Sequence, residues 1–384
     1  MKLFKWLYKT RTAKQNNNSN LENNSSKVID KIPKVKNKTQ DLWNVWNFEY
    51  QAYWSDGNIE FWDINRQGWH RNIDQTVVLK SLDNLSDICK DSLNEIKSHL
   101  QIYLWCIVPC YGLTQDPIIG DYMMVLKYCK GGNLQNFIQS KNTLYYDKIY
   151  GLSQIARGLY DIHNVGKVHK DFHSGNILFN SIPYISDLGM CQPVNESKQS
   201  EGIYGVLPYI APEVLRGYQY VKASDIYSFG IVMNEYLSEK IPYCNVPHDD
   251  ILAVKICKGL RPKIANETPN LLSDLIKKCL DAKVGNRPTA KELYQTLEKL
   301  SNEQLNPNSD IYAQIEECKR IRANMFQNES NESQPKSIQT HSQAIYTSRL
   351  LNFKNLPDPV NSYPCKICTV SECLDTQISE DISF

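Results

Sequence analysis

Short apolar runs separated by turn residues fill the first third of the chain, and apolar residues at helical spacing follow. Trp43, Trp46, Trp54, Trp62 and Trp69 crowd the stretch 43–128, which reads as β-rich. Ser55-Asp56-Gly57-Asn58 carries a hairpin signal between two aromatic segments. Thr76-Val77-Val78-Leu79 reads as a buried strand ending in Lys80. Asp91 to Leu100 reads as a helix carrying Glu95, and Ile102 to Val108 and Tyr122 to Leu126 as further strands. Over 129–300 the pattern is mainly helical: Ile149, Leu152, Ile155, Leu159 and Ile162 keep one face, as do Leu272, Leu275, Ile276, Cys279 and Leu280. Between those helices lies a polar, loop-rich stretch from His169 to Glu213, the kind of segment that carries chemistry on a rigid scaffold.

The two ends differ from the middle. Residues 1–42 read as a disordered leader: Lys2, Lys5, Lys9, Arg11 and Lys14 precede its first acid, and Asn16 to Ser26 is mostly Asn and Ser. Its basic amphipathic start could touch an anionic membrane, but a plain disordered start is the expectation. From 301 to 384 the chain is Asn-, Ser- and Gln-rich, a polar tail with one helix expected around Ile311 to Met325.

At 384 residues the chain is long enough for two to three compact units, by the usual ~150 residues each. Lys plus Arg is 43 against 42 for Asp plus Glu, which gives no reason to expect a nucleic-acid partner. The longest apolar run, Ile102 to Val108, is far short of the ~18 residues of a membrane span. Of twelve cysteines, nine are scattered singly from Cys89 to Cys318, which argues for a reduced, cytoplasmic protein and against a disulfide framework. Cys365, Cys368 and Cys373 cluster, but three thiols without a fourth ligand make a weak zinc site.

The chemistry concentrates in His169-Lys170-Asp171-Phe172-His173-Ser174-Gly175-Asn176, followed by Asp187-Leu188-Gly189, Ala211-Pro212-Glu213, Asp225 and Arg287, with Lys80 and Glu95 upstream. Each piece alone is weak; their order and spacing together are not. In these motifs the chain resembles a eukaryotic protein kinase over about residues 43–300. The wording Asp-Phe-His-Ser-Gly-Asn-Ile-Leu (171–178), Tyr-Gly-Val-Leu-Pro-Tyr-Ile-Ala-Pro-Glu (204–213) and Ala-Ser-Asp-Ile-Tyr-Ser-Phe-Gly (223–230) is closest to the tyrosine-kinase-like group and to expanded fungal kinase sets. The tail fragment Ala-Ile-Tyr-Thr-Ser-Arg-Leu-Leu (344–351) resembles those sets too.

The resemblance implies an α+β, two-lobed fold: a small β-rich N-lobe with one helix over 43–128 and a larger helical C-lobe over 129–300. It implies a signalling enzyme that moves the γ-phosphate of ATP, with Mg²⁺, to a protein hydroxyl. Phosphoryl transfer needs positioning and charge neutralisation more than covalent chemistry. Lys80 is then expected to hold the α- and β-phosphates with Glu95 fixing it, and Asp171 to take or orient the proton of the attacking hydroxyl. Asn176 and Asp187 are expected to give oxygens to Mg²⁺. Val78 and Leu178 would sandwich the adenine, Leu126 stands at the gatekeeper position, and backbone groups of Lys127 and Cys129 would meet the adenine edge. Glu213 and Arg287 would pair at the end of the activation segment, Asp225 would brace the catalytic loop, and His169 and Leu188 would stack between the lobes.

The glycine-rich loop departs from the family. That loop needs glycines so that backbone N–H groups can approach phosphate oxygens closely. The aligned stretch, Asn44-Val45-Trp46-Asn47-Phe48-Glu49-Tyr50, has none, and Glu49 falls where an apolar residue should cap the adenine. Three readings stay open: weak ATP binding through Lys80, Asn176 and Asp187; a pseudokinase scaffold; or a misjoined N-terminal exon. Acceptor type is also open. His173 and Gly175 match neither the serine/threonine nor the tyrosine signature, Val206 replaces the expected threonine, and group resemblance leans to Ser/Thr. Lys170 replaces the usual Arg and keeps a cation for a phosphorylated segment; Ser197, Ser200 and Tyr204 are candidate sites.

Overall fold

The computed structural model describes residues 49–82, 90–102, 105–116, 120–140, 145–194, 202–329 and 340–361. The expectations for the leader, for Asn44 to Phe48, for Ser197 and Ser200 and for the Cys365 cluster lie outside those residues.

The N-lobe runs β1 (Glu49–Trp54), β2 (Asn58–Asp63), β3 (Gly68–Asn72), β4 (Gln75–Ser81), α1 (Lys90–Gln101), β5 (Cys110–Gln115) and β6 (Tyr122–Lys127). Four strands form one antiparallel sheet in the order β1-β4-β6-β5. Strand alternation sorts its side chains. Ala52, Trp54, Val77, Leu79, Met123 and Val125 make one core cluster. On the other face Val78, Met124 and Leu126 pack with Ile96 of α1. Lys80 shares that second face by parity with Val78, so its chain reaches toward α1 and Glu95.

Two expectations for this lobe are corrected. The segments flanking Ser55 to Asn58 do not form a hairpin with each other: β1 pairs with β4, while β2 and β3 make a separate ribbon. Gly57 turns the chain between the two pairings. It has φ +62°, and a Cβ there would stand 1.6 Å from the Asn72 carbonyl oxygen. The sequence signal was for a turn, and a turn does not choose its partner strand. Nor do the described residues of Ile102 to Val108 form a strand. Ile102 follows α1, Trp105 and Cys106 lie in a turn, and Ile107 makes a single parallel bridge to Ile185. An apolar run without alternation does not by itself specify strand geometry.

The C-lobe contains β7 (Gly132–Asn133), α2 (Leu134–Ser140), α3 (Tyr145–Asn164), β8 (Lys167–Val168), β9 (Ile177–Phe179), β10 (Pro183–Ile185), β11 (Gln192–Pro193), β12 (Ile203–Gly205), α4 (Pro212–Leu215), α5 (Lys222–Ser238), α6 (Asp250–Cys257), α7 (Asn270–Cys279) and α8 (Ala290–Glu303). Its core holds the inner faces of α3 and α7 that periodicity picked out, together with the apolar residues of α5. Thr289 opens α8 through a capping box: its hydroxyl accepts from the Glu292 N–H at 3.2 Å, and the Glu292 carboxylate accepts from the Thr289 N–H at 2.8 Å.

Beyond residue 300 there is more order than a polar tail. Helix α9 (Asp310–Glu329) buries Ile311, Ile315 and Cys318. Residues 340–361 then cross the C-lobe and contribute β13 (Arg349–Leu351), which pairs antiparallel with β12. Among the described residues no helix is long and apolar enough to cross a membrane, and eight cysteines are free.

Candidate active site

Two polar clusters meet in the cleft between the lobes. The first is centred on Lys80. Its Nζ lies 2.8 Å from Glu95 Oε1 and 3.0 Å from Asp187 Oδ1, and the side chains of Lys80 and Glu95 are both nearly closed to solvent. Glu49 is the cross-strand partner of Lys80. Burial alone would lower the Lys80 pKa, but Asp187, Glu95 and Glu49 together carry it above its ordinary value. The ammonium is therefore fixed and charged. Burial raises the pKa of Glu49 against the pull of Lys80. Asp187 stands below the usual carboxylate range: burial opposes ionisation, and Lys80 more than offsets it. Its backbone is left-handed, with φ 56°, so the carboxylate turns back on the lysine.

The second cluster is built by the loop after β8. Asp225, fully buried on α5, accepts from the backbone N–H groups of His169 (2.8 Å) and Lys170 (3.1 Å) and bonds His163 of α3 (2.8 Å). Those bonds hold Lys170 at φ 71° and set the direction of Asp171. The amide of Asn176 donates to the Asp171 carbonyl at 2.9 Å, which leaves the Asn176 side-chain oxygen as the atom that can face a cation. Asp171 stays ionised. Burial raises its pKa, but His173 and a hydrogen bond from Ser348 bring it below the ordinary value.

The structure thus brings Lys80, Glu95 and Asp187 into direct contact and joins Asn176 to Asp171. The apolar residues Val78, Leu126, Cys129 and Leu178 fall in one cluster beside them. Lys127 donates its N–H to the Pro109 carbonyl at 3.0 Å, so only its carbonyl is left to face a base. His169 and Leu188 are fully buried. Arg287 donates to both oxygens of Glu213 at 2.7 and 2.8 Å. Lys170 Nζ bonds Gln192 at 3.1 Å, and Tyr204 lies on β12 opposite Leu350.

Two side chains make contacts at the site that the sequence does not announce: His173, whose place in the motif bore only on acceptor type, and Ser348. His173 Nε2 lies 3.2 Å from the Ser348 hydroxyl and 3.6 Å from Asp171 Oδ2. Its Nδ1 accepts from the Gly175 N–H at 3.1 Å, which assigns the neutral ring's proton to Nε2. A Cβ on Gly175 would come within 2.7 Å of that ring, so the glycine two residues on was the available signal. Ser348 donates to the Asp171 carboxylate, its Oγ at 2.8 and 2.6 Å from the two oxygens. The fragment 344–351 stood out in the sequence, but no residue in it announces a contact with Asp171.

A buried pair of a strand lysine and a helix glutamate thus faces a carboxylate-bearing loop on the helical lobe. Residues 57–297 match the family of protein tyrosine and serine/threonine kinases, and the chain belongs to it. It is 33% identical over 181 residues to a probable LIM domain-containing serine/threonine-protein kinase of Dictyostelium discoideum, covering 46% of this chain and 19% of that one. It is 27% identical over 257 residues to a probable serine/threonine-protein kinase of the same organism, 58% of this chain and 16% of that one. The mitogen-activated protein kinase kinase kinase dlk-1 of Caenorhabditis elegans is 26% identical over 315 residues, 78% of this chain and 32% of that one. The chain spans less than a third of the length of each of these relatives.

Proposed function

We propose that the protein transfers the γ-phosphate of ATP to serine or threonine hydroxyls of other proteins, as a signalling kinase of the tyrosine-kinase-like group with the wording of the expanded fungal sets. The single observation that carries this is the Lys80–Glu95–Asp187 contact beside an ionised Asp171. Names of two relatives support serine/threonine over tyrosine. We divide the chain into a leader (1–42), an N-lobe (43–128), a C-lobe (129–300) and an extension (301–384). We place its action in the cytoplasm.

In this reading Lys80 holds the α- and β-phosphates and Glu95 fixes it. Asp171 orients the acceptor hydroxyl and takes its proton. Val78, Leu126 and Leu178 pack on the adenine, and Lys127 and Cys129 meet its edge. Asp187 and Asn176 offer the hard oxygen donors that suit Mg²⁺. Bound there, the cation would neutralise charge developing on the phosphates.

Thermal unfolding of the full chain with and without Mg²⁺-ATP tests the binding half of the reading. Nucleotide at 100 times its dissociation constant stabilises by about 2.7 kcal/mol. The shift should vanish without Mg²⁺ and in Asp187→Asn. No shift at millimolar nucleotide favours a scaffold that has lost its glycine loop.

A further inference from the structure

The extension does more than cover the C-lobe. Ser348 stands with its hydroxyl on both oxygens of Asp171 and beside His173, the position an acceptor hydroxyl must take. The residues after it form a strand on the activation segment: Arg349, Leu350 and Leu351 pair with Gly205, Tyr204 and Ile203. This is how an extended peptide is read, through main-chain pairing with alternate side chains pocketed. Leu351 is buried, and Leu350 points outward.

The register is fixed on both sides. Before Ser348, Tyr346 donates to the Pro242 carbonyl at 2.7 Å and packs edge-on against His248, which also bonds the backbone of Ile345. Arg349 donates to the His248 carbonyl at 2.8 Å. Further along, Arg216 holds the Leu356 carbonyl at 3.2 Å, and Asn361 accepts from the Ala282 N–H at 2.7 Å. Contacts this numerous seat the serine from outside the site, so its place on Asp171 does not depend on that one pair of hydrogen bonds.

Resting on the kinase reading above, we propose that Ser348 is the chain's own acceptor: residues 340–361 occupy the peptide groove in cis, and phosphorylation of Ser348 releases them. In the step, Ser348 Oγ forms a bond to the γ-phosphorus of ATP. The bond from that phosphorus to the β–γ bridging oxygen breaks, and ADP leaves with its electron pair. The hydroxyl proton passes to the Asp171 carboxylate. The product carries a charge of about −1.5 to −2 against Asp171, in a cleft that already holds Asp187 and Glu49. Like-charge repulsion then works against the seat, and the groove opens to other acceptors.

The test incubates the full chain with Mg²⁺-ATP and maps phosphate by mass spectrometry. It also follows transfer to a serine/threonine/tyrosine peptide library. Phosphate should appear on Ser348 at a first-order rate unchanged over a roughly hundredfold range of protein concentration, as for an intramolecular step. Asp171→Asn should leave Ser348 unlabelled. Library transfer should start slowly and rise about tenfold as Ser348 fills, whereas Ser348→Ala should show no rise with time. Phosphate on the library or on other residues but never on Ser348 overturns the proposal while leaving the kinase reading intact. So does a Ser348 rate that grows with protein concentration, or a library rate indifferent to Ser348. Phosphate on nothing at all sinks the kinase reading itself.

Discussion

Arg287 should be among the most costly C-lobe residues to replace. Its guanidinium is fully enclosed and forks onto both oxygens of Glu213 at 2.7 and 2.8 Å. It also donates to the carbonyls of Ala223 (2.9 Å) and Asp281 (2.8 Å) and lies over the Tyr227 ring at 5.1 Å. Arg287→Met keeps the apolar stem and removes every one of these donors. Glu213 is then left buried with only the Ser224 hydroxyl at 3.0 Å, and an uncompensated buried charge costs about 3–5 kcal/mol. At about 2–4 °C per kcal/mol for a unit of 150–250 residues, the Tm should fall by about 6–20 °C. Glu213→Gln/Arg287→Met removes both charges and should recover most of that loss, because an ion pair swapped out whole is often near neutral. The assay is thermal unfolding by circular dichroism at neutral pH for wild type, both single variants and the double. A single Arg287→Met shift under 2 °C would refute the reasoning, as would a double variant no better than the worse single one.

Glu235 is buried beside the Tyr209 hydroxyl, and burial raises its pKa from 4.5 to about 7 although its hydrogen bonds pull the other way. The folded state therefore holds a proton the unfolded chain has released between those values, so stability falls as pH rises from 4.5 to 7 and levels off above. The contribution is about 3 kcal/mol at most, and Glu235→Gln should flatten the slope in pH-resolved urea melts. Gly57→Ala forces a left-handed backbone and a clash with the Asn72 carbonyl, and should destabilise the N-lobe by more than the ~1–2 kcal/mol of the backbone term alone. Urea unfolding followed by tryptophan fluorescence reads this loss. Lys80→Met should abolish the nucleotide-dependent thermal shift while leaving α-helical circular dichroism unchanged; a retained shift would remove Lys80 from the phosphate site.

Lys80, Glu95, Asp171 and Asp187 were singled out by a resemblance that several motifs carry together, since each piece alone is weak. The helices on α3 and α7 were legible from period alone. Pairing was not: Gly57 announces a turn, but β1 leaves it to join β4, a choice made by the buried faces of Ala52, Trp54, Val77 and Leu79. The apolar run from Ile102 was read as a strand, yet Ile102 follows a helix, Trp105 is exposed in a turn, and Ile107 makes one bridge to Ile185 instead of entering the sheet. The fragment holding Ser348 stood out in the sequence, but its contact with Asp171 did not, because that contact joins residues 177 apart. Its seat is set by pairing with β12 and by pockets on the C-lobe, which no local pattern encodes.

In the proposed function Asp171 directs phosphate from ATP to a hydroxyl. The direct measurement is transfer of radiolabelled γ-phosphate by the full chain in Mg²⁺-ATP, counting phosphate on a peptide library and on the chain itself, with Asp171→Asn alongside. Incorporation on serine or threonine, lost in Asp171→Asn while its fold is kept, is the result predicted. Equal incorporation by both proteins, or none by either at millimolar nucleotide, would contradict it.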